Sequence, residues 1–176
     1  MTSIIKVDQI QTAAGATPTI ADLGVNITST SMPTGAVLQV VQATHSSQIS
    51  ISTNSAFNIT TVDITPRSAT SKFLVKGIVM GVQIGNVNGA RLDVILIRDT
   101  GGQETTLNNS GANFYTLDTA NFRHGGFAIE DLDSPATTSA ITYKLRGRWA
   151  DDSNPSYVNK DSNSGNSTIT VMEIAG

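Results

Sequence analysis

The sequence contains no cysteine and few charged or aromatic residues. Without cysteine, the chain can form no disulfide framework, thiol nucleophile or cysteine-based zinc site. Charged residues make up 14% of the 176 residues, against about 25% in typical globular proteins, and the formal net charge is −3. No basic run occurs, which argues against nucleic-acid binding.

Long hydrophobic runs and helix-forming residues are also missing. Nowhere do about 18 apolar residues follow one another, so we expect no membrane insertion. The N-terminal MTSIIKVDQIQ lacks the basic head and long apolar stretch of a signal peptide, and none is expected. Glutamate and lysine, which usually fill exposed helix surfaces, are scarce, and no segment shows a sustained helical period.

Short β-rich runs bounded by Gly, Pro, Asn, Asp and Ser are abundant, which is typical of a sandwich or barrel. The clearest alternation predicts a strand over residues 141–149, with apolar residues on one face and Thr, Lys and Arg on the other. Residues 48–53 and 168–172 alternate in the same way. We therefore predict an all-β fold, an antiparallel jelly-roll-like β-sandwich of roughly eight to ten strands over residues 35–176.

Two runs, residues 73–84 and 92–97, are apolar on both sides. This pattern indicates central strands that are covered on both faces, or strands whose outer face meets another subunit. Gly77, Gly81 and Gly85 recur every four residues in and after the first run. The flanking Val and Ile residues favour a strand with a bend or bulge over a tightly packed helix.

The first 34 residues differ from the rest and are predicted to be an N-terminal attachment arm, residues 1–34, that ends at the break SMPTG. A strand-like stretch is followed there by TAAGATPTIADLGVN, which has no usable periodicity. Because an isolated strand is marginal in water, Ile4, Ile5, Val7 and Ile10 need a surface that buries them. We expect a neighbouring copy or a different protein to provide it, with main-chain strand addition giving affinity.

Candidate catalytic residues are few. His45 and His124 stand in the loop-like contexts THSS and RHGG, and no GxSxG motif accompanies them. The carboxylates of EDLDSP are explained by a turn in which Asp133 and Ser134 bond their own backbone. GVQIGNVNG lacks the Lys-Ser/Thr pair of a phosphate loop. No enzyme activity, cofactor or metal is predicted, with calcium at DLD or DDSN as a weaker alternative.

Polar loops are predicted at residues 86–89, 100–112 and 151–166. The last, DDSNPSYVNKDSNSGN, is either a solvated connection between strands or a recognition tip. In the second case Tyr157, Asn154 and Asn159 are the candidate glycan-binding residues, because they offer one aromatic ring and two amides.

Four stretches, taken in order, resemble fibre-like structural proteins from tailed phages of marine bacteria, including cyanophages. SIIKVDQIQTAAGATPTIADLGVN (residues 3–26) is similar to their N-terminal segment. ITPRSATSKFLV (64–75), LDSPATTSAITYKL (132–145) and STITVMEIAG (167–176) are similar to parts of their C-terminal β domain. Residues 85–123 show no such similarity.

The resemblance implies a virion component with an N-terminal attachment segment and a trimeric C-terminal β-sandwich. The chain is short for a complete tail fibre and has no coiled coil or long shaft repeat. This favours a short fibre, a compact knob, or a decoration protein of the tail or head. We therefore expect a homotrimer located in the virion that contacts other virion proteins through its arm. A receptor-binding tip that recognises host surface glycan is the alternative.

Overall fold

The computed structural model describes residues 32–51, 55–84, 91–109, 114–115, 123–149, 156–160 and 165–176. The predicted arm residues Ile4, Ile5, Val7 and Ile10 lie outside these ranges, as does Asn154. The arm and its boundary therefore stay predictions. In the ranges that are described, no helix is long and apolar enough to cross a membrane.

The described part of the chain forms strands connected by turns and short irregular segments. The strands are β1 (Val37–His45), β2 (Ile49–Ile51), β3 (Ala56–Ile64), β4 (Lys72–Ile84), β5 (Arg91–Thr100), β6 (Gln103–Asn109), β7 (Phe114–Tyr115), β8 (Arg123–Asp133), β9 (Ile141–Trp149), β10 (Ser156–Val158) and β11 (Ser167–Ile174). They pair antiparallel in two sheets.

The first sheet has the order β1-β11-β4-β10-β2, and β8 pairs with the opposite side of β4. Because β11 pairs with residues 72–78 of β4 and β10 pairs with Gln83 of the same strand, β10 and β11 share one strand position. β1 pairs with β11 and β2 pairs with β10, so β1 and β2 likewise share one strand position, at the edge of this sheet. The second sheet has the order β3-β9-β5-β6, and β7 pairs with β5 beyond the end of β6.

Counted by strand position, each sheet is four strands wide. The first contains β1/β2, β10/β11, β4 and β8, and the second contains β3, β9, β5 and β6/β7. From one of these eight strand positions to the next, the chain crosses between the sheets every time except from β5 to β6. This is the connectivity of a jelly roll, which has eight strands in two sheets. The predicted all-β, antiparallel jelly-roll-like sandwich is confirmed.

The core lies between the two sheets and follows the alternation of the strands. β9 covers the predicted residues 141–149, and its Ile141, Tyr143 and Leu145 are buried. The rings of Phe73 on β4 and Tyr143 lie 5.9 Å apart, so the two sheets meet through an aromatic pair.

β5 is a central strand that is buried on both faces over most of its length. Its outward Ile95 and Ile97 are only 8% and 4% exposed. They lie opposite Arg146 and Lys144 of β9, whose long aliphatic stems can cover apolar neighbours while the charged heads stay polar. Of the two alternatives for residues 92–97, the structure supports cover from within the chain.

β4 differs from the prediction for residues 73–84. Only its last residues, from Val82 to Ile84, are buried in succession, whereas buried and outward residues alternate earlier in the strand. The predicted bulge is confirmed at Gly81, which has φ +56 where the register with β8 shifts between Val79 and Val82. The outer face of the sheet is therefore left uncovered over the first half of β4.

Two of the predicted polar loops contain strands. Residues 100–112 include β6, which returns from β5 through Gly101 and Gly102, with φ +62 and +87. Two consecutive positive φ values are typical of the tight turn of a two-residue hairpin. Residues 151–166 include β10, which is too short to show an alternation. β6 looked like a loop because it is an edge strand whose side chains are largely exposed.

Candidate interaction surface

Three carboxylates of the described residues are buried, and hydrogen-bond donors elsewhere in the chain bind each of them. Asp133 accepts hydrogen bonds from Arg98 Nη1 at 2.6 Å, from Tyr143 Oη at 2.8 Å and from the Ser134 N–H at 2.9 Å. The last bond is the one predicted for the EDLDSP turn. Burial, and then the hydrogen bond to Asp133, raise the pKa of Tyr143 well above its usual range, so its hydroxyl stays a donor.

The other two buried carboxylates are held in the same way. Glu173 on β11 is fully buried and accepts hydrogen bonds from Gln39 Nε2 at 2.5 Å and from the Arg67 N–H at 2.7 Å. Asp93 on β5 is 2% exposed and accepts hydrogen bonds from Arg148 Nη2 at 2.6 Å and Nε at 3.2 Å. These side chains connect strands that are distant in sequence. No group of three or more metal-ligating side chains occurs in the described residues.

The two histidines lie in strands, and the prediction that they lie in loops was wrong. His45 ends β1 opposite Ser167, and His124 lies in β8 opposite Gln83. The side chain of His124 is outside the described residues. The strands extend to these positions because they pair with partners far away in sequence, which the local contexts THSS and RHGG do not reveal.

Asn159, one of the candidate glycan-binding residues, is 2% exposed, and its side-chain amide is hydrogen-bonded within the chain. Its Nδ2 donates to the carbonyl oxygens of His45 at 2.9 Å and Ser47 at 3.2 Å, and its Oδ1 accepts from Ser167 Oγ at 2.7 Å. The side chain thus joins the end of β1 to the start of β11. In this conformation its amide does not face a ligand.

Tyr157, in contrast, is half-buried and lies on β10 opposite Ser50. The Lys160 Nζ lies 3.6 Å from the centre of its ring, a cation–π contact that occupies one face of the ring. The structure therefore brings Tyr157 to the surface and Asn159 to the interior. Glycan binding by these two residues and Asn154 stays a prediction.

The outer face of the second sheet carries ion pairs, and we call it the charged face. Lys144 Nζ donates to Asp99 Oδ2 at 2.6 Å and to Glu104 Oε1 at 2.8 Å. Arg146 donates to both oxygens of Glu104, at 2.7 and 2.8 Å. The hydrogen bonds from Arg146 and then Lys144 lower the pKa of Glu104 to about 2, and the bond from Lys144 lowers that of Asp99. These charges are compensated within the chain.

The outer face of the first sheet carries a row of apolar side chains, in contrast to the charged face of the second sheet. Val40 on β1 lies opposite Met172 on β11, which in turn lies opposite Leu74 on β4. Leu74 lies opposite Leu132 on β8. These four residues, which we call the apolar row, cross the whole sheet over about 14 Å at the usual strand spacing. Val40 and Leu132 are 54% and 55% exposed.

The described residues include four large exposed hydrophobic side chains, and three of them lie on this outer face. The four are Met32, Val37, Val40 and Leu132. Val37 lies opposite Ile174 at the end of the same sheet, and Met32 precedes β1. A contiguous apolar patch of this kind, unlike scattered single residues, is typical of an interaction site.

The row also lies near the point at which residues 1–31 join the domain. The Gly35 N–H donates to the Ala175 carbonyl, and the Ala175 N–H donates to the Ala36 carbonyl, both at 2.8 Å. These bonds fix the chain beside the end of β11, three residues beyond Met172. Sequence reasoning missed the row because its members come from four strands, and only the sheet register brings them together.

No protein-family model matches the chain, and no curated protein sequence matches it either. Among solved structures, it is similar to the VP2 subviral particle of infectious bursal disease virus, with 18% identity and a TM-score of 0.49 over 78% of this chain and 33% of that chain. For the Gx strain of that virus, the identity is 14% and the TM-score 0.49, over 81% of this chain and 34% of that chain.

A structure of the T13 particle of the same virus aligns with 16% identity and a TM-score of 0.42, over 78% of this chain and 36% of that chain. The chain thus spans about a third of the length of these structures. A likeness at this level of identity and TM-score does not indicate a function. The resemblance to marine-phage fibre proteins stays a prediction.

Proposed function

We propose that this chain is a structural protein of a virion: a short fibre, knob or decoration protein of the tail or head. It assembles as a homotrimer and docks to the particle through its N-terminal arm, residues 1–34. The proposal assigns it no catalytic activity. The observation that carries it is the apolar row, which leaves two aliphatic side chains more than half exposed on the outer face of the first sheet.

An uncovered row of this kind favours assembly. Fully burying a Val or Leu side chain is worth about 1.5–3 kcal/mol relative to leaving it exposed. Val40 and Leu132 are each more than half exposed, so a substantial part of that gain is left for a partner. The buried carboxylates of the described residues, in contrast, are hydrogen-bonded within the chain, as expected for an inert scaffold.

The location of the row and the sequence resemblance support the same role. The arm joins the domain beside the end of β11, so a copy held by its arm has this end of the sandwich directed towards the particle. The arm sequence is also the segment that resembles the attachment segment of marine-phage fibre proteins. The sequence has no run of basic residues of the kind that binds nucleic acid.

Deletion of the arm tests the docking role. Particles assembled with the full chain or with a chain lacking residues 1–34 are purified, and incorporation is measured by quantitative mass spectrometry. We expect the truncated chain to be absent from particles while its circular dichroism spectrum stays that of a folded β domain. Normal incorporation of the truncated chain would refute the docking role.

Point variants of the full chain refine this test. Ile5→Asn with Val7→Asn removes two apolar side chains of the arm and should reduce incorporation. A matched variant, Gln11→Asn with Thr12→Asn, changes neighbouring polar positions and should be incorporated normally. Equal incorporation of both variants would show that the predicted apolar residues are not the docking contacts.

A further inference from the structure

We infer that the outer face of the first sheet is the surface through which copies of this chain hold one another, with the apolar row at its centre. This inference rests on the proposed homotrimer and names the surface that forms it. In such a trimer the three first sheets are turned towards the symmetry axis, and the charged faces of the second sheets are turned outward.

The contrast between the two outer faces is the first argument. Both sheets have apolar residues on their outer faces. Those of the second sheet, Ile95 and Ile97, are almost fully buried beside the cationic side chains of the neighbouring strand β9. On the first sheet, nothing in the described chain covers Val40 or Leu132 in this way. The outer face of the second sheet therefore has its apolar residues covered, whereas the outer face of the first sheet leaves apolar side chains exposed.

Charge complementarity identifies the occupant as a second copy. The next outward row along the sheet contains Lys76 on β4 opposite Glu130 on β8, and both are exposed. Lys72 lies on the other side of Leu74 on the same strand. A partner of one charge sign would be repelled by part of this face. Copies of this chain offer an apolar row together with both signs, so around a three-fold axis the rows can meet one another while a cation of one copy lies beside an anion of the next.

The low charge of the surface around the apolar row also favours a second copy of this chain as the occupant. Between Lys76 and the edge strand β1, this neighbouring row continues with Thr170 and Gln42, which are neutral. Charged residues are typically depleted at the centre of interfaces between copies, with polar groups at the rim. The face has this arrangement, with the aliphatic row inside and Lys72, Lys76 and Glu130 beside it.

Oligomeric state in solution tests the inference. The variant Val40→Lys with Leu132→Lys places two cations on the row at positions that are already exposed. The matched control, Gln103→Lys with Thr106→Lys, adds the same charge at exposed positions of β6 in the second sheet. The masses of all three full-length proteins are measured by light scattering after size exclusion, at one concentration at which the wild type is assembled.

We expect the wild type and the control to have three times the mass of the 18.4-kDa chain, and the row variant to have the mass of one chain. Circular dichroism and thermal melting show whether the row variant is folded. As a second, milder variant, Leu132→Ser weakens association without adding charge and should raise the concentration at which the trimer dissociates.

The outcomes separate the inference from the proposed function. If a folded row variant stays trimeric, the copies meet elsewhere, and the inference is overturned while the proposed homotrimer stands. If the wild type is monomeric at all concentrations, both the inference and the proposed homotrimer are overturned. If the wild type is a dimer that the row variant dissociates, the surface is supported and the trimer stoichiometry is overturned.

Discussion

At the scale of the residue, the distance between the sheets depends on an absent side chain at Gly77 on β4. A Cβ at this position would lie 2.5 Å from Leu145 Cδ1, 3.2 Å from Ile129 Cγ2 and 3.3 Å from Leu96 Cδ2. Real Cβ atoms do not approach carbon so closely, so any side chain there must displace the core. The recurrent glycines in this run therefore have two different roles, packing at Gly77 and a positive φ at Gly81.

The substitution Gly77→Ala should lower the free energy of unfolding by about 1–3 kcal/mol, the usual cost of overpacking a core. Urea unfolding followed by circular dichroism measures this change. Shortening the nearest neighbour with Leu145→Val should relieve part of the overlap, so the double variant should be less destabilised than the sum of the two single variants. Strict additivity would contradict the packing role of Gly77.

The buried hydroxyl of Tyr143 leads to a second residue-scale prediction. It donates to the carboxylate of Asp133 at 2.8 Å in the interior, so Tyr143→Phe leaves the aromatic packing in place and removes one charge-assisted hydrogen bond. We expect a loss of about 1.5–3 kcal/mol in the free energy of unfolding. Tyr157→Phe, at a half-buried tyrosine on the surface, is the matched control and should change stability little. Equal effects of the two substitutions would count against this role of Tyr143.

Residue-scale features were predictable where the cause is local. The turn at Asp133 and Ser134 was readable because the side chain bonds the next backbone N–H. The burial of Glu173 was not, because its donors, Gln39 and the Arg67 N–H, are more than 100 residues away in sequence. The burial of Asn159 was not predictable for the same reason, since its partners lie in β1 and β11.

At the scale of the element, strands with one buried face were the easiest to predict. β9 shows the alternation from residue 141 to residue 148, because one face packs in the core and the other carries the cations of the charged face. β6 was missed because an edge strand that is exposed on both sides has no alternation to reveal. β10 is three residues long, and only its pairing with β2 and β4 makes it a strand.

The ion pairs that connect β5, β6 and β9 predict a loss of stability in acid. The pKa of Glu104 is lowered from 4.5 to about 2, and that of Asp99 is lowered as well. A carboxyl whose pKa is lower in the folded state stabilises the fold above its unfolded pKa, and this contribution is lost as the pH falls through the folded pKa. The stability that Glu104 provides should therefore be intact above about pH 4.5 and disappear towards pH 2.

Urea unfolding at a series of pH values between 6 and 2 measures this dependence. The variant Glu104→Gln should be less stable than the wild type at pH 6, and the two should converge towards pH 2. Because Glu104 is an exposed residue, the difference at pH 6 should also shrink in 1 M salt. Glu130→Gln, at an exposed carboxylate on the opposite sheet, is the control. A constant difference between Glu104→Gln and the wild type across the series would exclude this origin of the acid sensitivity.

At the scale of the whole molecule, the fold class could be predicted but the candidate surface could not. Many short β runs separated by turn residues are enough to indicate a sandwich. The apolar row needs the register of four strands, since Val40, Leu74, Leu132 and Met172 are spread over most of the domain sequence. Each of these residues alone is an ordinary outward hydrophobic side chain. Their alignment is a property of the assembled sheet.

The order of the strands also predicts which terminal segment can be deleted without unfolding the domain. The described strands begin at Val37, and the Gly35 N–H already donates to the Ala175 carbonyl beyond the end of β11, so we expect the jelly roll to form without residues 1–34. β11, in contrast, lies between β1 and β4 inside the first sheet, and its Ile169 and Val171 are fully buried. Loss of β11 would leave β1 without its partner and β4 without one of its neighbours, and it would open the core.

A chain of residues 35–176 should therefore unfold cooperatively in urea, with a free energy of unfolding within about 1 kcal/mol of the full chain when both are measured as dissociated subunits. A chain that ends at residue 166 should be unfolded, with no cooperative transition, although it loses fewer residues. If the copies assemble through the first sheet, the chain of residues 35–176 keeps the apolar row and stays trimeric as well. An unfolded 35–176 chain would show instead that the arm belongs to the folding unit and is not an attachment added to it.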